Sequence, residues 1–409
     1  MSVNNKVPEI RFKGFSGEWA EETLGAVAEI KTGPFGSTLH AKAYVEDGHA
    51  IITTEHFKSG ELPVDKKGIP QVSDDDYLRL KAYLLKVGDI VFSRVGSVDI
   101  NAHVKNKQKG WLFSGRVLRV RSGKIIDSEY LHHELSTSRV KKSVVSRAVG
   151  QTMPSINTEI LKITPIHFPL YTTEQTAIGN YFQKLDSLIN QHQQKHDKLS
   201  SIKKAMLEKM FPKQGDSIPE IRFKGFSGEW KKLTLGDLGS VAMNKRIFKH
   251  QTTIIGEIPF FKIGTFGKQA DAFISKTLFD EYKAKYPYPV AGDLLLSASG
   301  SIGRVVEYKG EEQYFQDSNI VWLKHDGKID NAFLKVFYSM VKWSGLEGST
   351  IQRLYNKNIL DTEISTPERH EQTAIGNYFQ KLDALINQHQ QQIAKLNNIK
   401  QACLSKMFV

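Results

Sequence analysis

With 409 residues, of which 40% are hydrophobic and 24% charged, the chain has an ordinary globular composition and is long enough for two or three domains. Its single cysteine, Cys403, excludes an intrachain disulfide and a cysteine-built zinc site, and fits a reducing cytoplasm. No apolar run approaches the roughly 18 residues of a membrane helix, and the opening MSVNNKVPEIRFKGF has no apolar stretch to serve as a secretory signal. The formal net charge of +12 favours a polyanionic partner, nucleic acid first.

In chain order, the first feature is PEIRFKGFSGEW at 8–19, which returns unchanged at 219–230. Residues 20–173 follow, a stretch with strands predicted over 89–94 and 115–121 and a helix over 128–138. Then comes EQTAIGNYFQKLDSLINQHQQ at 174–194, which returns at 371–391 with Ser187 replaced by Ala384. Between the later copies lie residues 231–370, with strands predicted over 293–298 and 319–324 and a helix over 331–343. The two fillings share only scattered matches, among them VGDIVFSRVGS at 87–97 with AGDLLLSASGS at 291–301. Constant joints around divergent fillings describe one scaffold presenting two different modules in equivalent settings. A short-period solenoid would look different.

The joints read as long helices. Ile178, Phe182, Leu185 and Ile189 step by 4, 3 and 4, and the stripe runs on through His192 and His196 to Leu199 before shifting register to Ile202, Met206 and Met210. The second stripe is Ile375, Phe379, Leu382, Ile386, His389, Ile393, Leu396, Ile399, Cys403 and Met407. This is coiled-coil spacing. Thr172 or Thr173 is the expected N-cap and Pro212 the expected stop. Each helix spans roughly 50–60 Å at 1.5 Å per residue. Since neither stripe can be left in water, the helices are expected to pack on each other, antiparallel, with the modules at opposite ends. The expected fold class is mixed α+β: two α/β modules separated by a long antiparallel coiled-coil helix pair, with an internal pseudo-two-fold repeat. His192 and His389 share one seam position and are read as polar residues that fix register.

Catalytic chemistry is not legible. There is neither a GxxxxGK[ST] phosphate loop nor a GxGxxG fingerprint, and SGSIG at 299–303 reads as a tight turn. His132, His133 and Glu134 do not match HExxH and are expected on a solvated helix face. Asp74, Asp75 and Asp76 are expected in a loop. No catalytic residue, metal or cofactor is expected on this chain.

The basic residues carry more. Between His103 and Gly150 stand eleven Lys or Arg (Lys105, Lys107, Lys109, Arg116, Arg119, Arg121, Lys124, Arg139, Lys141, Lys142, Arg147) against three acids. Lys, Arg, Asn, Gln, Ser and Thr beside glycine can hold phosphates or reach base edges. The candidate DNA contacts are Lys31, Ser37, Arg94, Ser97, Lys141, Lys142, Arg147, Gln151 and Thr152 in the first module. In the second they are Asn244, Lys245, Arg246, Ser301, Arg304, Thr350, Gln352, Arg353, Tyr355 and Lys357. The helix-pair interface is expected to use Ile178, Phe182, Leu185, Ile189 and Leu199 with Ile375, Phe379, Leu382, Ile386 and Leu396.

This layout resembles the specificity (S) subunit of Type I restriction–modification systems. The carriers are PEIRFKGFSGEW with LGAVAEIKTGPFGS (24–37), GDIVFSRVGS (88–97) and EQTAIGNYFQKLDSLI (174–189), and their second copies with LGDLGSVAMNKR (235–246) and GDLLLSASGSIG (292–303). The second module has MNKR where the first has GPFGS. The resemblance covers essentially the whole chain. It implies target recognition domains at 1–173 (with the repeat segment 8–19) and 219–370, a central spacer helix at 174–218 and a C-terminal one at 371–409. It further implies that each recognition domain reads half of a bipartite site on double-stranded DNA in the bacterial cytoplasm. Two methyltransferase (M) subunits would dock on the helices, and restriction (R) subunits would join through them. S-adenosylmethionine and ATP with Mg would belong to those partners, and this chain would be non-catalytic. A self-contained DNA methyltransferase or nuclease would need an N/D-P-P-Y/F motif or a carboxylate cluster. A coiled-coil scaffold without DNA binding would not need divergent basic modules.

Overall fold

The strand Asp89–Ser93 (DIVFS) is buried at all five positions, so both of its faces must be covered. In the computed structural model, which describes residues 6–34, 38–39, 43–344 and 352–409, they are. Ile90 and Phe92 join a core with Tyr130 and Phe182, while Val91 points the other way into a core with Phe57 and Phe113. The strand Leu294–Ser297 repeats the arrangement. Leu294 and Leu296 pack with Phe333 and Phe379, and Leu295 packs with Phe315 and Trp322.

The chain divides into two units, residues 1–193 with 391–409, and residues 194–390. In the first, Ala20–Thr23 pairs antiparallel with Pro165–Phe168 and closes the module. A four-stranded antiparallel sheet follows in the order Ala28–Thr32, Val117–Ser122, Asp89–Ser93, Asn101–His103. A smaller sheet is built around His49–Ile52, which pairs in parallel with Leu112–Phe113.

The second unit has the same plan. Lys231–Thr234 pairs with Glu363–Thr366. Its four-stranded sheet runs Ser240–Met243, Ile320–Lys324, Leu294–Ser297, Val305–Glu307. Here too the smaller sheet holds one parallel pair, Ile258–Phe261 with Tyr314–Phe315. Two sequences with scattered matches therefore fold alike, because alternation of apolar residues is kept where side-chain identity is not.

The joints are helices of 38 residues each, Thr172–Lys209 and Arg369–Lys406. Within the first unit, the early part of the first long helix runs antiparallel to the late part of the second. Asp186 meets Lys400 at 2.5 Å, Tyr181 meets Cys403 at 3.5 Å, and the Phe182 and Phe408 rings are 5.5 Å apart. Within the second unit, Lys203 meets Asp383 at 2.5 Å, and the Phe211 and Phe379 rings are 6.4 Å apart. Ile178, Phe182, Leu185, Ile375, Phe379 and Leu382 are buried as their spacing predicts. Ile189 and Ile386 are half-buried, Leu396 packs on the first core, and Leu199 packs on the second. No helix among the described residues is long and apolar enough to cross a membrane.

Several local expectations are corrected. Asp74, Asp75 and Asp76 form the first turn of a helix, Asp74–Arg79, whose N-cap Ser73 accepts from the Asp76 amide; acids there complement the helix dipole. The helix expected over 128–138 is two helices, Ser128–Glu134 and Ser138–Val145, each with its own cap, Asp127 and Thr137. The helix expected over 331–343 is Asn331–Met340. Thr172 and Thr173 lie inside the first long helix rather than ahead of it. His132, His133 and Glu134 are not on a solvated face, being 9%, 1% and 0% exposed. Their short helix is covered by the sheet on one side and by the long helix on the other. Asn101 meets His132, and the Phe182 ring lies 5.0 Å from that of His133.

Candidate DNA interface

The repeated segments explain how each module is held. Arg11, in the first PEIRFKGFSGEW, donates from Nε and Nη2 to the two carboxylate oxygens of buried Glu174. Arg222 does the same to Glu371. The next residue, Gln175, accepts from the Asp127 amide and donates to the carbonyls of Ile125 and Pro169. Gln372 likewise accepts from the Asp330 amide and donates to Pro367 O. Asp127 and Asp330 are the N-caps of equivalent helices, and Thr176 and Thr373 donate to their carboxylates. Gly179 and Gly376 then let those helices approach, since an added Cβ would lie 2.9 Å from the Tyr130 nitrogen or 2.6 Å from the Ala332 Cβ. The E-Q-T-x-x-G run is thus a clamp. Its Glu is held by the arginine of the other repeated segment, and its Gln and Thr have backbone or cap partners that a divergent module can still supply.

At one end of the strands of each four-stranded sheet, glycine loops singled out in the sequence come together. In the first module Val95 bridges Ser155, the Gly96 amide donates to Pro154 O and the Ile156 amide to Arg94 O. The Arg94 amide donates to Arg116 O, and Gly33 to Val117 O. Gly96 and Gly150 have φ of 84° and 100°, which side chains with a Cβ seldom adopt. In the second module Ser299 bridges Arg353, the Leu354 amide donates to Ala298 O, and the Ala298 amide to Asn319 O. Three of these loops, at 94–96, 116–117 and 154–156, therefore have counterparts in the second rim at 298–299, 319 and 353–354.

The predicted contacts sort into two groups. Some cations are engaged within the module. Arg94 donates to Ile156 O and Gly115 O, Arg304 to Phe266 O, and Arg353 to Ser318 Oγ at 2.7 Å. The Lys31 ammonium donates to Ala82 O and sits over the Tyr83 ring. These side chains shape the rim. Others face solvent: Ser97, Lys142, Arg147, Gln151 and Thr152 in the first module, and Lys245, Arg246, Ser301, Gln352, Tyr355 and Lys357 in the second. Lys141 is half-buried, and Asn244, 2% exposed, turns inward. Ser37 and Thr350 lie outside the described residues. Of the eleven cations in the basic run, Arg119, Arg121 and Arg139 pair with Glu29, Asp89 and Glu134. Exposed Arg116, left out of the predicted contacts, sits on the rim beside Arg94.

The model of the Type I restriction modification DNA specificity domain matches this chain twice, over residues 16–201 and 227–398. The chain belongs to that family. A putative type I restriction enzyme specificity subunit of Haemophilus influenzae is 54% identical to it over 158 residues, which are 38% of this chain and 41% of that protein. The chain thus aligns with less than half the length of that relative. The putative type I restriction enzyme MjaX specificity subunit of Methanocaldococcus jannaschii is 24% identical over 390 residues, 88% of this chain and 86% of its own. The crystal structure of a Type I restriction–modification S subunit from M. genitalium shares the fold, with a TM-score of 0.68 at 14% identity over 98% of this chain and 99% of that one.

The first unit also contains a buried polar cluster where a solvated helix face was expected. His103 Nδ1 lies 3.1 Å from Glu129 Oε2, and burial, with the Lys105 charge beside it, holds the imidazole pKa down to about 4. Burial likewise pushes His132 and His133 down and Glu129 and Asp186 up. The one signal in the sequence was Glu129, His132 and His133 at i, i+3 and i+4, on a helix only seven residues long.

Proposed function

We propose that this chain reads a bipartite site on double-stranded DNA, one half-site per module, as the non-catalytic specificity subunit of a Type I restriction–modification complex. Residues 1–173 and 219–370 act as the target recognition domains, and 174–218 and 371–409 as the spacer helices that set the gap. The observation that carries this reading is the contrast between clamp and rim. The clamps are nearly identical, whereas the rims come from equivalent loops with different exposed side chains. Phosphate contacts from exposed lysines and arginines would supply affinity, and the neighbouring Gln, Ser and Thr would supply base contacts.

Two methyltransferase subunits dock on the long helices in this reading, where Leu188 and Leu385 occupy matching positions and are 42% and 43% exposed. Those subunits carry S-adenosylmethionine and methylate adenine. Restriction subunits, which use ATP, join through them, and the assembly works in the cytoplasm.

The test is to exchange residues 231–370 for the corresponding module of a relative, supply the methyltransferase partner, and map methylated adenines across a genome. One half-site should change while the other stays. Adding a helical turn within 195–205 should lengthen the unread gap, on a duplex whose own turn is about 34 Å. A swap that alters both half-sites would defeat modular readout.

A further inference from the structure

His132, His133 and Asp186 each bring one ligand atom within 4.8 Å of the others. His133 Nε2 lies between two carboxylates, 3.8 Å from Glu129 Oε1 and 4.0 Å from Asp186 Oδ2. His133 is 1% exposed, and neither ring nitrogen has a hydrogen-bond partner among the described residues. Buried polar atoms are rarely left this way, because each orphan gives up its hydrogen bonds to water without replacement. Nothing in the reading of DNA uses them.

We propose that this cluster binds one divalent transition-metal ion of the zinc type, with His132, His133, Glu129 and Asp186 as ligands. Imidazole nitrogen and carboxylate oxygen are the donors such ions take. At bond lengths near 2 Å, tetrahedral ligands stand about 3.3 Å apart, so separations of up to 4.8 Å have to close by at most about 1.5 Å. The outer contacts are in place. His132 Nδ1 is 2.6 Å from Asn101 Oδ1, which leaves Nε2 for the ion. His103 orients Glu129 from behind, and Lys400 takes Asp186 Oδ1 at 2.5 Å and leaves Oδ2. Asp186 and Glu129 are 17% and 14% exposed, so the site opens to solvent on its carboxylate side.

The second unit serves as an internal control. Counted from the caps Asp127 and Asp330, Glu129, His132 and His133 correspond to Ala332, Lys335 and Val336. The Asp186–Lys400 pair survives there as Asp383–Lys203. The shared skeleton thus folds without the cluster. In the second unit a covalent cation stands in the region, with Lys335 Nζ 3.1 Å from Glu307. The first unit has His132 in place of that lysine and Glu129 in place of Ala332, which leaves room and donors for a cation from outside.

The test uses the full chain. Titration with Zn2+ alone, followed by calorimetry, should give one ion per chain and a raised melting temperature. Co2+ in its place should give visible ligand-field absorption. His133→Val should abolish both signals while the chain stays folded, because Val336 is tolerated at the equivalent position. Asp186→Asn should weaken binding more than tenfold, and Asn101→Ala should weaken it 10–100-fold through its hold on His132. Absence of binding by the natural chain, or binding unchanged in both His133→Val and Asp186→Asn, overturns the site.

Discussion

Arg11 and Glu174 are joined by two parallel hydrogen bonds of 2.7 Å across 163 residues of sequence. Arg222 and Glu371 form the same pair at 2.6 Å. Both carboxylates are almost fully buried, so each depends on its guanidinium for charge and hydrogen bonding together. The two repeated segments are therefore the two halves of one lock, which explains why they are kept together and kept unchanged.

Arg11→Ala should destabilise the first unit by about 3–5 kcal/mol, because it strands a buried carboxylate. Arg222→Ala should do the same in the second. Lysine should not restore either, since a point charge cannot replace a bidentate fork. Calorimetry of the full chain should show each substitution shifting its own unit's transition.

Gly179→Ala and Gly376→Ala should both destabilise, although alanine is favoured over glycine inside a helix by about 1 kcal/mol. The new methyl at 376 would lie 2.6 Å from the Ala332 Cβ and 2.8 Å from the Phe333 nitrogen; at 179 the nearest atom is 2.9 Å away. Position 376 should therefore suffer more, by about 1–3 kcal/mol net. Chemical denaturation of the two variants ranks them, and a more stable Gly376→Ala chain would contradict the close approach.

Lys142→Ala and Lys357→Ala should weaken DNA binding on all sequences alike and lower the salt slope by about one each. Arg94→Ala and Arg353→Ala should behave differently, because their guanidiniums tie the rim loops to Ile156 and Gly115 or to Ser318. Their loss should relax discrimination within one half-site. Filter binding over a salt series, on cognate and scrambled duplexes, separates the two behaviours.

Leu188→Glu and Leu385→Glu should each cost the complex one methyltransferase subunit without unfolding the chain, as both side chains are more than two-fifths exposed. Light scattering of the assembled complex reads the stoichiometry. A complex that keeps two methyltransferases with both substitutions present would move the docking surface elsewhere.

The repeats, the helical seam and the strands at 89–94 and 319–324 were legible because burial imposes a period on the sequence. Ile178, Phe182 and Leu185 could occupy no other face of a helix. The direction of a loop arginine has no such signature. Arg94, Arg304 and Arg353 carry the composition of a DNA contact, and only the fold brings carbonyl oxygens within their reach. The histidines failed for a related reason. A seven-residue helix, Ser128–Glu134, gives no period from which to tell a solvated face from a covered one, and its second cover is a helix that begins over 40 residues later.

The first unit is completed only by residues 391–409, while the second is one unbroken stretch, 194–390. Leu404, Met407 and Phe408 belong to the same core as Trp19, Tyr130 and Phe182. A ribosome making this protein therefore finishes the second unit's sequence while the first, started earlier, still lacks a wall of its core. During that interval the faces of Trp19 and Tyr130 that meet Phe408 in the finished fold are open. Domains usually mature in the order they are synthesised; here residues 391–409 set the moment at which the N-terminal unit closes, and a message truncated before them would release a chain whose first unit lacks that wall.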